Sequence, residues 1–169
     1  IQYDEVKIPY SRRGIKLKKK DNWGARSIKG KRICRAKYDD VYFMKHALVR
    51  VEKKNKYGLI NLKGKRITRI QYDGINGFDQ GLATVRVQKK YGLINKNGRE
   101  VTPLKFDYVA SYLRSGFRVA QQNNKRGFIN AEGKEITPIQ YEAVRDFKEG
   151  LAQVKLSLHL KNRRLNRLP

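Results

Sequence analysis

A single cysteine, Cys34, rules out an internal disulfide framework and any multi-cysteine zinc site. The two histidines, His46 and His159, lie far apart and have no ligand-like spacing. No apolar run approaches the ~18 residues that a membrane span needs. Acids are scarce, 15 Asp and Glu in all, and the adjacent pair Asp39-Asp40 has neither a histidine nor a third acid beside it. No Gly-rich phosphate loop, nucleophile elbow or metal-binding helix motif occurs; the glycines have turn spacing. These absences remove most catalytic classes, so no enzyme activity, cofactor or metal is expected.

What is abundant is positive charge. Lys and Arg number 40 in 169 residues, for a formal net charge of +25. A soluble surface needs a net charge of only ~2–8, so solubility alone does not account for the excess. A chain this basic attracts polyanions, of which nucleic acid is the commonest. The excess is uneven. Residues 1–76 hold 22 Lys and Arg against 7 Asp and Glu, which is +15 of the +25.

The chain also repeats itself. Four segments align on a pair of glycines: residues 22–33 (NWGARSIKGKRI), 56–67 (KYGLINLKGKRI), 90–101 (KYGLINKNGREV) and 125–136 (KRGFINAEGKEI). Trp23, Tyr57, Tyr91 and Arg126 hold equivalent places, spaced by 34, 34 and 35 residues. An aromatic-acid marker follows each segment, at Tyr38-Asp39, Tyr72-Asp73, Phe106-Asp107 and Tyr141-Glu142, and Tyr3-Asp4 opens the chain. An alternating apolar-polar run precedes each, as in Leu48 to Val51 and Leu82 to Val87, and a last copy spans 151–156. Three markers on one period define a repeat array.

Each unit reads as strand, turn, strand, turn, strand. Alternation of period two is that of half-buried strands, and Asn97-Gly98 is a hairpin signal. Gly30, Gly64, Gly98 and Gly133 are expected at positive φ. Pro103 and Pro138 fall in the third run, which predicts an edge strand or a strand end. The fold class is therefore all-β: tandem three-stranded meanders of about 34 residues, which must pack on one another to bury a core. Residues 1–156 form the array and 157–169 a basic tail. The chain opens in mid-unit and closes on a first strand, so a propeller-like ring is favoured over an open β-solenoid. The missing initiator Met suggests a fragment or a processed chain.

Aromatic-Gly, then Phe/Leu-Ile-Asn, then x-x-Gly-Lys, Ile-Thr-Pro-x-x-Tyr-Asp and Phe-x-x-Gly-Leu-Ala resembles the WG (KWG) repeat family of bacterial proteins. Only Trp23 keeps that family's tryptophan; Tyr57 and Tyr91 replace it, and Arg126 departs from the pattern. The resemblance implies a β-repeat array and leaves function open.

With successive units in one orientation, equivalent turns share one face. The first turns hold Lys18, Lys19, Lys20, Lys53, Lys54, Lys56, Lys89, Lys90, Lys125 and Arg126, which predicts a basic rim, with Arg163 and Arg164 of the tail as a further contact. The second turns put more lysines at the opposite ends of the strands, and the acids are expected to gather in the connections between units. The marker aromatics Tyr3, Tyr38, Tyr72, Phe106 and Tyr141 are expected in the core rather than as a base-stacking platform. Each marker Asp is expected to cap a turn through its own backbone. Cys34 is expected as a small buried residue, although Arg32 and Arg35 beside it would lower its pKa were it exposed. The function expected is a non-enzymatic nucleic-acid-binding module, with RNA favoured over DNA, contacting phosphates through lysine turns. It would serve as a cytoplasmic subunit of a ribonucleoprotein or DNA-processing complex. The rival is a repeat scaffold for an acidic protein, a glycan or an anionic cell surface.

Overall fold

The computed structural model describes residues 2–9, 13–111, 116–145 and 151–156. Among these the secondary structure is strand and turn, with no helix. The first sheet runs β1 (Glu5–Lys7), β2 (Ile15–Lys19), β3 (Asn22–Arg26) and β4 (Arg32–Tyr38) in that order. The second holds β5 (Asp40–Phe43), β6 (Leu48–Lys53) and β7 (Lys56–Asn61). The third holds β8 (Gly74–Ile75), β9 (Leu82–Val87), β10 (Lys90–Asn95) and β11 (Glu100–Phe106). The fourth holds β12 (Tyr108–Val109), β13 (Phe117–Gln122) and β14 (Lys125–Asn130), and β15 (Ala143–Val144) pairs with β16 (Val154–Lys155) in a fifth.

The array of antiparallel meanders is as the repeat predicts, with one addition. Each unit begins with a short strand contributed by the connection after the marker acid, here β5, β8, β12 and β15. The third run is a full outer strand in the first and third sheets. In the second and fourth it pairs only at the bridges Tyr57–Tyr72, Ile60–Arg66, Arg126–Tyr141 and Ile129–Glu135. Pro103 lies in the outer strand β11, where its missing N–H costs no ladder bond.

Consecutive sheets pack face to face like propeller blades, β3 against β5, β7 against β8, β10 against β12 and β14 against β15. Because side chains alternate along a strand, each inner sheet is apolar on both faces. Val49, Val51 and Ile60 of the second sheet pack on Trp23, Ala25 and Tyr38 of the first. Leu48, Leu59 and Tyr72 turn the other way, onto Ile75, Ala83 and Ile94 of the third. Leu93 and Phe106 meet Ala120 and Ile129 of the fourth.

The motif residues themselves hold the units together. Opposite the first glycine of each pair the outer strand bulges inward, with register shifts after Trp23–Tyr38 and Tyr91–Phe106. A Cβ on Gly24 would lie 2.7 Å from the backbone N of Ala36, and one on Gly127 2.8 Å from the carbonyl of Pro138. The glycine after the aromatic is thus required by close backbone approach. The buried Thr68 and Thr102 hydroxyls accept the N–H groups of Leu59 and Leu93 at 2.9 Å, and Thr137 does the same for Phe128. At the second turns Asn61, Asn95 and Asn130 each accept two N–H groups through Oδ1, at 2.8–3.1 Å. The four second-turn glycines have φ of +79° to +81°.

Candidate nucleic-acid interface

The first turns are two-residue hairpins, fixed by the pairs Lys19–Asn22, Lys53–Lys56, Val87–Lys90 and Gln122–Lys125. In the last three of them both central residues carry positive φ without glycine, as at Lys54 (51°), Asn55 (58°), Gln88 (47°) and Lys89 (70°), and in the first only Lys20 does, at 52°. Such a backbone suits the type I′ turn that twisted strands demand, but it strains residues with a Cβ. The compensation comes from the marker acids. Asp39 Oδ2 accepts the Lys54 N–H at 2.6 Å, Asp73 that of Gln88 at 2.7 Å and Asp107 that of Asn123 at 2.6 Å, and Asp4 accepts from Lys20 at 2.5 Å. Each marker Asp therefore caps a turn, but not through its own backbone. It fixes the hairpin that follows it by 15 or 16 residues.

This corrects the expected separation of charges. The marker acids do not stay in the connections away from the lysine rim; they sit on it. Asp39 takes the Lys53 ammonium at 2.7 Å, Asp107 takes Lys90 at 2.6 Å, and Asp73 takes Lys56. Lys53 also donates to Asn22 Oδ1 at 3.0 Å, which joins the hairpin ends of the first two sheets. The Lys18 ammonium lies 5.8 Å from the Trp23 ring centroid, and Arg126 donates to Gln121. Lys19, Lys20, Lys54, Lys89 and Lys125 make no ion pair among the described residues. Arg163 and Arg164 lie outside the described residues.

Hydrogen bonds from Lys53, Lys56 and Lys90, and secondly from the turn N–H groups, hold the Asp39, Asp73 and Asp107 carboxyls below the ordinary carboxylate value. A lowered folded-state pKa means that the folded form binds fewer protons than the unfolded chain. The stabilisation is fully present above the unfolded value and is lost as pH falls through the folded one. The melting temperature is therefore expected to fall on the acid side, below about pH 4. Asp73→Asn should lower it at neutral pH and flatten that acid limb. An acid limb of unchanged steepness would detach the hairpins from these carboxyls.

Of the marker aromatics, Tyr38, Tyr72 and Phe106 are buried in the core, whereas Tyr3 and Tyr141, at the two ends of the array, are only half-buried. Trp23 is 9% exposed, and the Lys16 ammonium stands 4.7 Å from its ring centroid while ion-pairing Asp40 of the next sheet at 2.5 Å. Arg50, at the equivalent position one unit on, lies over Tyr42 and Tyr57 and donates to the Ile75 carbonyl at 2.7 Å. Partial desolvation, with the Asp40 carboxylate beside it, pushes the hydroxyl of the partly exposed Tyr42 up to about 12.

Cys34 is half-buried rather than buried, and desolvation there outweighs the Ala25 backbone hydrogen bond and the Lys37 charge, so that its thiol is pushed up to about 11. Against a reference of 9.0 the thiolate fraction is about a hundredfold smaller. Aromatic disulfide reagents at neutral pH should accordingly label the folded protein about a hundredfold more slowly than the urea-unfolded chain. Equal rates would place Cys34 at the surface.

Arg118 was not singled out by the sequence. It occupies the place that Val49 and Ala83 hold in earlier units, is fully buried, and donates to the carbonyls of Asp79 at 2.8 Å and Ala110 at 3.2 Å. Burial lowers its pKa and the charge of Asp79 opposes that. Only its break in the apolar alternation hinted at such a role. Among the described residues no three His, Cys, Asp or Glu gather as a metal site, and no helix is long and apolar enough to cross a membrane.

With marker-clamped hairpins, Asn-capped second turns and bulge glycines recurring at one period, the sequence family can be assigned. The family described as "WG containing repeat" matches three consecutive segments, residues 57–91, 91–125 and 127–157. The chain belongs to the WG-repeat family. The unit around Trp23 precedes the matched segments and has the same bulge and turn geometry. No curated protein matches the WG-repeat chain. Among solved structures it is similar to Kluyveromyces lactis Hsv2p, at 10% identity and a TM-score of 0.41, over 86% of this chain and 53% of that one. A form of KlHsv2 with loop 6CD replaced by a Gly-Ser linker gives 11% identity and a TM-score of 0.42, over 77% of this chain and 49% of the other. The WG-repeat chain thus spans about half the length of the solved structures it matches.

Proposed function

We propose that this WG-repeat protein is a non-enzymatic module that holds the phosphate backbone of a nucleic acid, RNA foremost, against the hairpin end of its first two sheets. The observation that carries this reading is the charge left over once the marker acids are spent. Lys19, Lys20 and Lys54 stand on adjacent hairpins with no ion pair among the described residues, in the part of the chain that holds +15 of the +25. Lysine ammoniums on a rigid turn bind phosphate oxygens without reading base edges, so the contact is electrostatic and weakly selective for sequence. The motif residues are occupied with the fold, which leaves the partner to the variable turn positions. A cytoplasmic subunit of a ribonucleoprotein or DNA-processing complex is the setting that fits such a module.

Protein purified at low salt should carry absorbance at 260 nm that high salt removes, and should bind single-stranded RNA with affinity that falls steeply with salt. Protein free of nucleic acid with no salt-dependent RNA binding would overturn the reading in favour of an acidic protein or glycan partner.

A further inference from the structure

The repeat supplies its own internal comparison at the junctions between consecutive sheets. Three positions recur there: one on the third run of a unit, and two in the next unit, at its hairpin and at the start of its third run. At the junction of the third and fourth sheets they are Lys105, Gln122 and Glu135, and Lys105 Nζ pairs with Glu135 Oε1 across the junction at 2.8 Å. At the junction of the second and third they are Gln71, Val87 and Glu100. At the first junction they are Lys37, Lys53 and Arg66, and all three line one groove of about 560 Å³. The two positions that carry an ion pair at the third junction therefore carry like charges at the first.

Lys53 is satisfied by Asp39 and Asn22, whereas Lys37 and Arg66 make no ion pair among the described residues. The floor between them is apolar and aromatic, made by Tyr38, Val51 and Ile70. Like charges set across an apolar floor repel unless an anion lies between them. Arginine can grip such an anion through two parallel N–H donors, and lysine adds a point charge. Two uncompensated cations match a phosphomonoester, which carries about −1.5 to −2 at neutral pH, better than the single charge of a backbone diester. The volume lies in the ~300–1,000 Å³ range of small-molecule sites.

We infer that the groove between the first two sheets is a binding site for a phosphomonoester with a ring-bearing body, of the nucleoside monophosphate class, held by Lys37 and Arg66. This site meets the hairpin rim at Lys53 but is built on Lys37 and Arg66, and it goes beyond the backbone-binding reading.

The test uses the full chain, with AMP, inorganic phosphate and adenosine as probes in titration calorimetry. AMP should bind at one site and more tightly than phosphate, and adenosine should not bind. Arg66→Glu restores the charge pattern of the third junction, keeps the fold by far-ultraviolet circular dichroism, and should weaken AMP at least about tenfold, as expected for loss of a charge-assisted contact. Lys65→Glu on the adjoining second turn is the charge-matched control and should leave AMP binding within about twofold, because exposed charges contribute little at a distance. In the reciprocal variant Glu135→Arg, a second AMP site should appear at the third junction. Substitution of Lys19, Lys20 and Lys54 should leave AMP affinity in place, so failure of the rim and failure of the groove are read separately. Absence of AMP binding, equal losses in Arg66→Glu and Lys65→Glu, or no second site in Glu135→Arg would each overturn the assignment.

Discussion

Gly98→Ala should destabilise the protein by about 2–5 kcal/mol, and Gly30→Ala by about 1–2 kcal/mol, although both glycines occupy equivalent turns. Their φ angles are nearly the same, +80° and +79°. The left-handed backbone costs an L-residue about 1–2 kcal/mol in either place. What differs is the surroundings. A Cβ at Gly98 would lie 2.5 Å from the Ile67 carbonyl oxygen and 2.9 Å from Thr68 Cγ2, because that turn packs on the third run of the preceding unit. A Cβ at Gly30 meets nothing within 4 Å. Overpacking of a fixed backbone adds about 1–3 kcal/mol to the first and nothing to the second. Urea denaturation of the two variants decides the matter. Equal losses would show that the turns do not pack on the neighbouring sheet, and the stacking of blades would have to be redrawn.

The second large effect concerns salt. Replacing Lys19, Lys20 and Lys54 together by Gln should flatten the slope of log K against log salt by about 3 on duplex DNA, and by about 2 on single strands. At ~0.1 M salt, affinity should fall by up to a few hundredfold. Gln is already accommodated at the strained turn position in the third unit, where Gln88 has a φ of 47°, so the hairpins should survive the change. The companion set is Lys53, Lys56 and Lys90→Gln, which removes the same formal charge. Those ammoniums are engaged with Asp39, Asp73 and Asp107. Their loss should cost stability and change the salt slope less. Lys89 and Lys125, in the less basic half, should also matter less. If the paired set flattened the slope as much as the unpaired one, the ion pairs would not be withholding charge from the ligand.

Much of the fold was legible in the sequence because its determinants are local. Period-two alternation fixes which face a residue takes, so the strands and the buried places of Tyr38, Tyr72 and Phe106 followed from spacing alone. The turn glycines followed from backbone sterics, and the strand-edge place of Pro103 from its missing donor. The repeat period did the rest, because a unit too small to bury its own faces must stack on copies of itself. The short first strand of each unit was missed. Gly74-Ile75 and Tyr108-Val109 are two-residue pairings, too brief for periodicity to register.

What the sequence by itself determined about this protein is therefore the architecture and the total charge. Only the tertiary structure decided which charges meet. Asp39, Asp73 and Asp107 read as acids of the connections, yet chain folding brings each to a hairpin 15 or 16 residues further on, where it neutralises a lysine. Lys105 finds Glu135 across a sheet junction, 30 positions away, while Lys37 at the matching place shares a groove with Arg66. The physical reason is one of range. Side-chain direction is set by each residue's own backbone, whereas a Coulomb or hydrogen-bond partner is set by how neighbouring sheets lie against one another.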